Sequence, residues 1–284
     1  MASHDTATET KVTVLVDNLV RRQKLWGEHG MSLLVEAGGR RILFDTGQSG
    51  ELLVHNSTEL GLNLKDIDLV VLSHGHYDHT GGLPSLLNEV KHVNLYAHPE
   101  VFEKKYVKSE DNEVREVGSP LTKEALLAQG TKLHLDDEPV WLEDGIVVSG
   151  EIPRTNDFED ISQEFLIRRD GDWATDLLPD DRSMGIRTSK GLIIILGCSH
   201  VGAINTIQHI QELTETRAVY AVIGGMHLDK AGVRRIHRTV EVFTELGVEK
   251  VIPLHCTGFR ACAEIARLLG EKFMLGSVGF SFEV

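Results

Sequence analysis

Four side chains that can bind metal fall within six residues of this chain: His74, His76, Asp78 and His79. They directly follow the apolar residues 67–72, which predict a buried strand. In an extended or tightly turning segment His74 and His76 project the same way and can hold one ion, while the next turn aims Asp78 and His79 at a second. Zinc, iron and manganese all suit imidazole and carboxylate ligands, and zinc is the first choice. We therefore predict a centre of two divalent ions per chain.

The elements that position this run alternate in the manner of a single α/β domain. Strands are predicted before and after it at 11–16, 32–36, 41–44, 93–97, 140–142 and 146–148, with a short helix at 83–88. In the last third, strands at 192–196, 218–223 and 250–254 alternate with helices at 204–213, 233–246 and 260–269. This alternation favours sheets covered by helices.

Two segments depart from that pattern. Residues 100–137 are charged and helical in character, with the clearest helix at 121–128, so we predict an insertion that is either a cap over the site or a surface excursion. Residues 1–10 are polar and are predicted to be a disordered N-terminal segment. Residues 11–284 then form one domain.

The composition narrows the class of partner. The 284 residues include 29 basic and 43 acidic side chains, a formal net charge of −14, which disfavours a nucleic-acid partner. The three cysteines are too few for a disulfide framework and favour a reducing compartment. No apolar run approaches the roughly 18 residues of a membrane helix. We expect a cytoplasmic protein that binds a small molecule and no membrane; a homo-oligomer is an open alternative.

Further motifs carry a family resemblance. The string LSHGHYDHTGG at 72–82 resembles the metal-binding signature of the metallo-β-lactamase superfamily, and LFDTG at 43–47 is similar to the segment before it. Four strings resemble its dihydropteroate-synthase-like branch, also called 7,8-dihydropterin-6-methyl-4-(ribofuranosyl)aminobenzene-phosphate synthase-like: GEIPR at 150–154, GCSH at 197–200, GGMHL at 224–228 and LHCTG at 254–258. The resemblance implies an α/β fold, the four-layered αββα sandwich, here with a helical insertion.

The resemblance also implies later ligands. His255 matches the last ligand histidine, while Glu151 stands where a third histidine is usual. Cys198 stands where a bridging aspartate is usual, with His200 as the rival for that position. Asp45 is expected to orient a ligand histidine through its other ring nitrogen.

Other residues are candidates for substrate or proton transfer. Arg154 is expected to contact substrate, and Asp78, His200 and His227 are the candidate catalytic residues, with Asn18 and His29 as weaker candidates of the same kind. Cys256 and Cys262 are interpreted as packing residues.

Three functions follow. The first is metal-dependent hydrolysis of a small, phosphorylated or cyclic ester at a dinuclear centre. The second, implied by the branch, is a transferase that joins a dihydropterin methyl diphosphate to an aminobenzene ribofuranosyl phosphate in methanopterin-type pterin biosynthesis. The third is a non-catalytic or redox metal-binding protein, because a cysteine ligand lowers the Lewis acidity of the metals and suits iron.

Overall fold

The computed structural model describes residues 9–284, so residues 1–8 of the predicted N-terminal segment lie outside the described residues. Thr10, the last residue of that segment, is buried. It exchanges two backbone hydrogen bonds of 2.8 Å with Val284. The prediction of disorder up to residue 10 is therefore wrong at Thr10, which belongs to the edge of a sheet.

The described residues contain seventeen strands. They are β1 (Lys11–Val16), β2 (Ser32–Ala37), β3 (Arg40–Phe44), β4 (Leu69–Val71), β5 (Asn94–Ala97), β6 (Lys105–Lys108), β7 (Val114–Glu116), β8 (Lys132–Leu135), β9 (Val140–Glu143), β10 (Ile146–Val148), β11 (Phe165–Arg169), β12 (Asp172–Thr175), β13 (Ser183–Thr188), β14 (Gly191–Leu196), β15 (Val219–Gly225), β16 (Lys250–Leu254) and β17 (Ser281–Glu283).

Seven α-helices accompany them: α1 (Gly50–Glu59), α2 (Tyr77–Thr80), α3 (Leu83–Glu89), α4 (Lys123–Ala128), α5 (Ala203–Thr214), α6 (Val233–Glu245) and α7 (Phe259–Leu269). Short 3-10 turns lie at Leu64–Asp66, Pro99–Phe102, His255–Thr257 and Gly270–Lys272. Across residues 9–284, no helix combines the length and apolar character needed to cross a bilayer.

Two mixed sheets face each other. The first has the order β17-β1-β2-β3-β4-β5-β8, and the second has the order β16-β15-β14-β13-β10-β9. Strands β3, β4, β5 and β8 run parallel, as do β14, β15 and β16. Because parallel strands end at the same edge of a sheet, the loops after β4, β14 and β16 can meet at one site.

Apolar side chains fill three interfaces. One cluster lies between the sheets, with Phe44 from the first and Ile193 and Ile252 from the second. Another packs α1, α3 and α4 onto the outer face of the first sheet, and a third packs α5, α6 and α7 onto the second. Strands covered on both faces read as continuous apolar runs, as in residues 192–196. The predicted αββα sandwich is confirmed.

The segment at 100–137 contains three short strands, irregular connections and one short α-helix, so the prediction of a helical insertion is wrong over most of its length. Only α4 is an α-helix, within the predicted 121–128. Strand β8 extends the first sheet beside β5, while β6 and β7 form a separate antiparallel sheet with β11 and β12. That small sheet pairs residues from two distant stretches of chain, which local periodicity does not reveal.

Lys105 of β6 joins the small sheet to the metal-binding run. Its Nζ atom, in a side chain 1% exposed, donates to Asp176 Oδ2 at 3.0 Å and Asp180 Oδ1 at 2.8 Å. Asp180 Oδ2 in turn accepts a 2.8 Å hydrogen bond from the backbone N–H of Gly75. Burial opposes the Lys105 charge, but the two carboxylates outweigh it and raise the lysine pKa. A charged buried triad therefore holds the loop between His74 and His76.

Replacement of Lys105 by Met should destabilise the metal-free protein by about 3–5 kcal/mol, because two buried carboxylates would lose their cation. Lys104→Met is the matched control: this neighbouring lysine forms only a surface pair with Glu116 and should cost less than about 1 kcal/mol. Urea unfolding measures both free energies. Similar losses in the two variants would contradict the structural role assigned to Lys105.

Candidate metal centre and active-site cavity

Three histidines form a first cluster at the strand ends. His74 and His76 follow β4, and His200 follows β14. His74 Nε2 lies 2.9 Å from His76 Nδ1 and 3.3 Å from His200 Nε2. All three side chains are buried. His74, His76 and His200 thus place one ring nitrogen each around a common point.

These three nitrogens cannot satisfy one another by hydrogen bonds. A neutral imidazole has one N–H, and His74 Nδ1 already faces Ser73 Oγ at 2.9 Å. Burial lowers the pKa of all three rings, to about 3 for His76, so they are uncharged near neutral pH. Three uncharged imidazoles aimed at one point are the donor set of a zinc-type ion, and the residues present fit the predicted metal.

A second cluster lies beside the first. Asp78 and His79 stand on the short helix α2, and His255 follows β16. Asp78 Oδ2 is 3.2 Å from His255 Nε2, and His79 Nε2 is 3.3 Å from the same atom. Hydrogen bonds from His255 and His29 outweigh the effect of burial and hold the pKa of Asp78 well below its usual range. This cluster supplies one carboxylate and two imidazoles.

Cys198 lies between the two clusters. Its Sγ atom is 3.1 Å from His79 Nε2. It belongs to one ligand group with His74 and His79 and to another with His255 and Cys256. Burial raises the pKa of the Cys198 thiol well above its ordinary value, so a metal ion must displace a proton to bind this sulfur. Cys198 and His200, the two alternatives predicted for the bridging position, thus lie in separate places: Cys198 contacts both clusters, and His200 belongs to the first.

Glu151 is not brought together with the other predicted ligands. Its side chain is 56% exposed, and its Oε1 atom lies 3.2 Å from His98 Nε2. The preceding residue, Gly150, has a φ of 67°, a left-handed conformation that favours glycine. Glu151, predicted as a metal ligand, therefore lies outside the groups of described residues that could hold an ion, and His200 joins His74 and His76 instead.

Partners on the far nitrogens orient the ligand rings. Asp45, fully buried, accepts from His79 Nδ1 at 2.6 Å and from Ser73 Oγ at 2.7 Å. Burial opposes a charge on His79, but Asp45 outweighs it and raises the His79 pKa to about 9. Asp45 therefore stands where the sequence analysis expected an orienting carboxylate.

His255 is held from the end of β1. Its Nδ1 atom lies 2.9 Å from Asn18 Oδ1, and its backbone N–H donates to Asp17 Oδ1 at 2.8 Å. Asn18 thus supports a ligand, whereas the sequence analysis had it as a weak substrate candidate. Asp17 was missed, and the only signal for it is a polar pair directly after an apolar strand.

The remaining predicted residues surround the clusters. The His227 ring packs 4.4 Å from that of His200, and its Nδ1 atom has no hydrogen-bond partner among the described residues. His29 Nε2 lies 3.1 Å from Asp78 Oδ2, and the Asp78 contact raises the His29 pKa. Arg154 donates to the backbone oxygens of His200 and Leu177, both at 3.1 Å.

A cavity of about 570 Å³ opens over the clusters. Asp78, Cys198, His200 and His255 form its floor together with His227, and Phe165 of the small sheet forms part of its wall. Arg115 and Val117 from the segment at 100–137 also line it. This segment therefore lines the cavity, and its role as a cap over the site stays a prediction.

Comparison with known proteins identifies the family of this chain. The family model of the metallo-β-lactamase superfamily matches residues 25–204. A solved structure, Tm1679, described as a metal-dependent hydrolase of the beta-lactamase superfamily, superimposes with a TM-score of 0.82 at 31% identity, covering 97% of this chain and 99% of the other. The chain belongs to the metallo-β-lactamase superfamily, and its fold and site define a metal-dependent enzyme.

Two relatives from Methanocaldococcus jannaschii are similar over most of their length. One is 7,8-dihydropterin-6-methyl-4-(beta-D-ribofuranosyl)-aminobenzene-5'-phosphate synthase, 36% identical over 247 residues, which is 83% of each chain. The other is an uncharacterized protein, 34% identical over 94% of this chain and 98% of its own. The branch resemblance seen in the sequence is confirmed.

Replacing His200 by Ala should remove one metal ion per chain, because only two imidazoles would remain in the first cluster. Glu151→Ala is the control and should keep the full complement. Elemental analysis of protein loaded with zinc and freed of excess metal measures both. Loss of an ion from Glu151→Ala, with none lost from His200→Ala, would reverse this assignment.

Cobalt-substituted protein should show an intense sulfur-to-metal charge-transfer band that disappears in Cys198→Ser, because Cys198 Sγ alone among the thiols contacts a ring nitrogen of a ligand. Cys256→Ser should keep the band, since Cys256 Sγ contacts the backbone of Cys198 and His227 at 3.4 Å. Absorption spectra of the three proteins decide this. A band that survives Cys198→Ser and vanishes in Cys256→Ser would make Cys256 the sulfur ligand.

Proposed function

We propose that this enzyme transfers a dihydropterin methyl group from its diphosphate to the amino nitrogen of an aminobenzene ribofuranosyl phosphate. The observation that carries the proposal is the placement of metal-binding side chains from both clusters along one large cavity that Phe165 also lines. Similarity over 83% of each chain to a synthase named for that product supports it.

The transfer reaction needs no reactant besides these two substrates. The amino nitrogen attacks the methylene carbon attached to the pterin ring, and a carbon–nitrogen bond forms. The carbon–oxygen bond to the diphosphate breaks, and its electron pair leaves with the diphosphate. The proton released from the nitrogen passes to a base. The demands on the site are therefore a charge-stabilised leaving group, a ring-binding wall and a proton acceptor.

The clusters meet the first demand. Divalent ions held by His74, His76 and His200 and by Asp78, His79 and His255 would neutralise charge on the diphosphate as it leaves. A sulfur ligand makes such ions weaker Lewis acids than a carboxylate does. Cys198 between the clusters therefore favours holding a diphosphate over ionising water.

Two cavity residues meet the other demands. The Phe165 ring packs 4.9 Å from the rings of both His76 and His200, so its wall lies beside the first cluster. A planar pterin or aminobenzene ring can stack on it. His227 lines the cavity beside His200, and its ring would accept the proton from the amine.

Hydrolysis of a small phosphorylated or cyclic ester is the second candidate. Its support is the carboxylate of Asp78, which lies in the cavity between His29 and His255 and can accept the proton of an attacking water. Two adjacent clusters also match the needs of two-metal hydrolysis.

Metal-loaded enzyme given both pterin diphosphate and aminobenzene ribofuranosyl phosphate should release diphosphate, and omission of the amine should abolish the release. His74→Ala should slow the reaction at least about a hundredfold, because the first cluster loses a ligand and the leaving group loses charge stabilisation. A coupled diphosphate assay with product detection by mass spectrometry measures the rates.

Release that is equally fast without the amine would contradict transfer and favour hydrolysis. Turnover of a phosphodiester or lactone panel in place of the pterin pair would have the same meaning. No turnover of any of these would leave a metal-binding protein without this catalysis.

A further inference from the structure

A smaller cavity of about 230 Å³ adjoins the main one. Glu164, His200, His227 and Lys230 line both, so the two spaces meet beside the first ligand cluster. We call the smaller space the side cavity. Its own lining includes Arg154 and Arg235.

Within residues 9–284, neither of these arginines forms an ion pair with a carboxylate. Arg154 uses two of its N–H donors on the backbone oxygens of His200 and Leu177. Arg235 has a buried Nε atom without any hydrogen-bond partner among the described residues. Burial lowers the Arg154 pKa, the Asp181 and Glu159 carboxylates oppose that effect, and the nearby Arg235 charge lowers the pKa to a smaller extent. Two like charges are therefore held close together with donors to spare.

The carboxylates that line the side cavity are mostly engaged elsewhere. Glu164 Oε2 pairs with Lys230 Nζ at 2.6 Å. Asp176 pairs with Lys105, and exposed Asp160 remains. Asp181 also acts on Arg154, but its Oδ2 atom accepts from the backbone of Val201 at 2.8 Å. An anion entering the side cavity would thus meet two arginines that no carboxylate of the described part of the chain contacts directly.

The backbone adds to this preference. Arg235 lies in the first turn of α6, a helix of 13 residues whose N-cap, Gly232, has no side chain to cap it. The preceding residue, Ala231, also lines the side cavity. The free N–H groups and the dipole at a helix N-terminus favour an anion. Guanidinium forks match a phosphate through paired hydrogen bonds.

We propose that the side cavity binds a phosphate monoester through Arg154 and Arg235. This rests on the proposed function, in which the second substrate carries a phosphate on its ribose. The phosphate would lie against the arginines while the aminobenzene ring extends into the main cavity. Arg235 is then a specificity-determining residue, whereas Arg154 also holds the backbone of His200.

The test compares Arg235→Gln with Arg234→Gln. Arg234 is the next residue on α6, exposed and absent from the lining of the side cavity, so its loss removes the same charge from the chain. Titration calorimetry on the metal-loaded proteins uses ribose 5-phosphate, inorganic phosphate and unphosphorylated ribose as probes. Thermal unfolding checks that both variants fold.

Ribose 5-phosphate should bind the parent more tightly than ribose does. Its dissociation constant should rise about tenfold or more in Arg235→Gln, since a hydrogen-bonded charge is lost, and less than about twofold in Arg234→Gln. The dissociation constant of inorganic phosphate should also rise more in Arg235→Gln than in Arg234→Gln. If only inorganic phosphate shows this difference and ribose 5-phosphate does not, the site binds free phosphate and the monoester proposal is wrong. Equal effects of the two variants, or no binding by the parent, would also overturn it.

The same data separate this proposal from the transferase. Failure of the coupling assay together with selective loss of ribose 5-phosphate in Arg235→Gln would remove the transfer reaction and keep the phosphate site. Coupling that proceeds in Arg235→Gln with an unchanged KM for the ribosyl phosphate would remove the phosphate site and keep the transfer.

Discussion

The convergence of metal-binding side chains on two adjacent points is the constraint on which the rest of the structure depends. His74 Nε2 has two other ring nitrogens within 3.3 Å, and burial keeps those rings neutral. Each buried polar atom left without a partner costs about 1–3 kcal/mol. The rings stay in place because neighbours hold their other atoms: Asp45 holds His79, and Asn18 holds His255. The fold thus prepares a cation site before any ion binds.

Strained backbone collects around the same point. Asp45, Ser199, His227 and His255 are non-glycine residues with φ between 46° and 60°. Such conformations cost about 1–3 kcal/mol each and persist only where surrounding contacts enforce them. Ser199 Oγ, for example, donates to the backbone oxygen of Gly225 at 2.9 Å. The stability needed to hold these turns comes from the three apolar interfaces of the sandwich.

The sequence predicts the ligands that are neighbours in the chain. It does not predict the ligands and strands whose positions depend on contacts between distant segments. The ligands between His74 and His79 and the strand before them could be predicted directly, because the spacing of the residues determines where their side chains project. The choice of His200 over Glu151 depends on how two loops turn after the strands end, which residue type does not encode. Strands β6 and β11 were missed because, besides their hairpin neighbours β7 and β12, they pair with each other across a long stretch of chain. Helix α1 was missed because polar Asn56 and Ser57 occupy its buried face.

Anomalous diffraction from crystals of the zinc-loaded protein tests the central claim most directly. The structure predicts two peaks about 3.5–4 Å apart, the first ligated by His74, His76 and His200 and the second by Asp78, His79 and His255. Cys198 Sγ should lie within bonding distance of at least one of them. A single ion, or an ion bound between His98 and Glu151, would contradict the account.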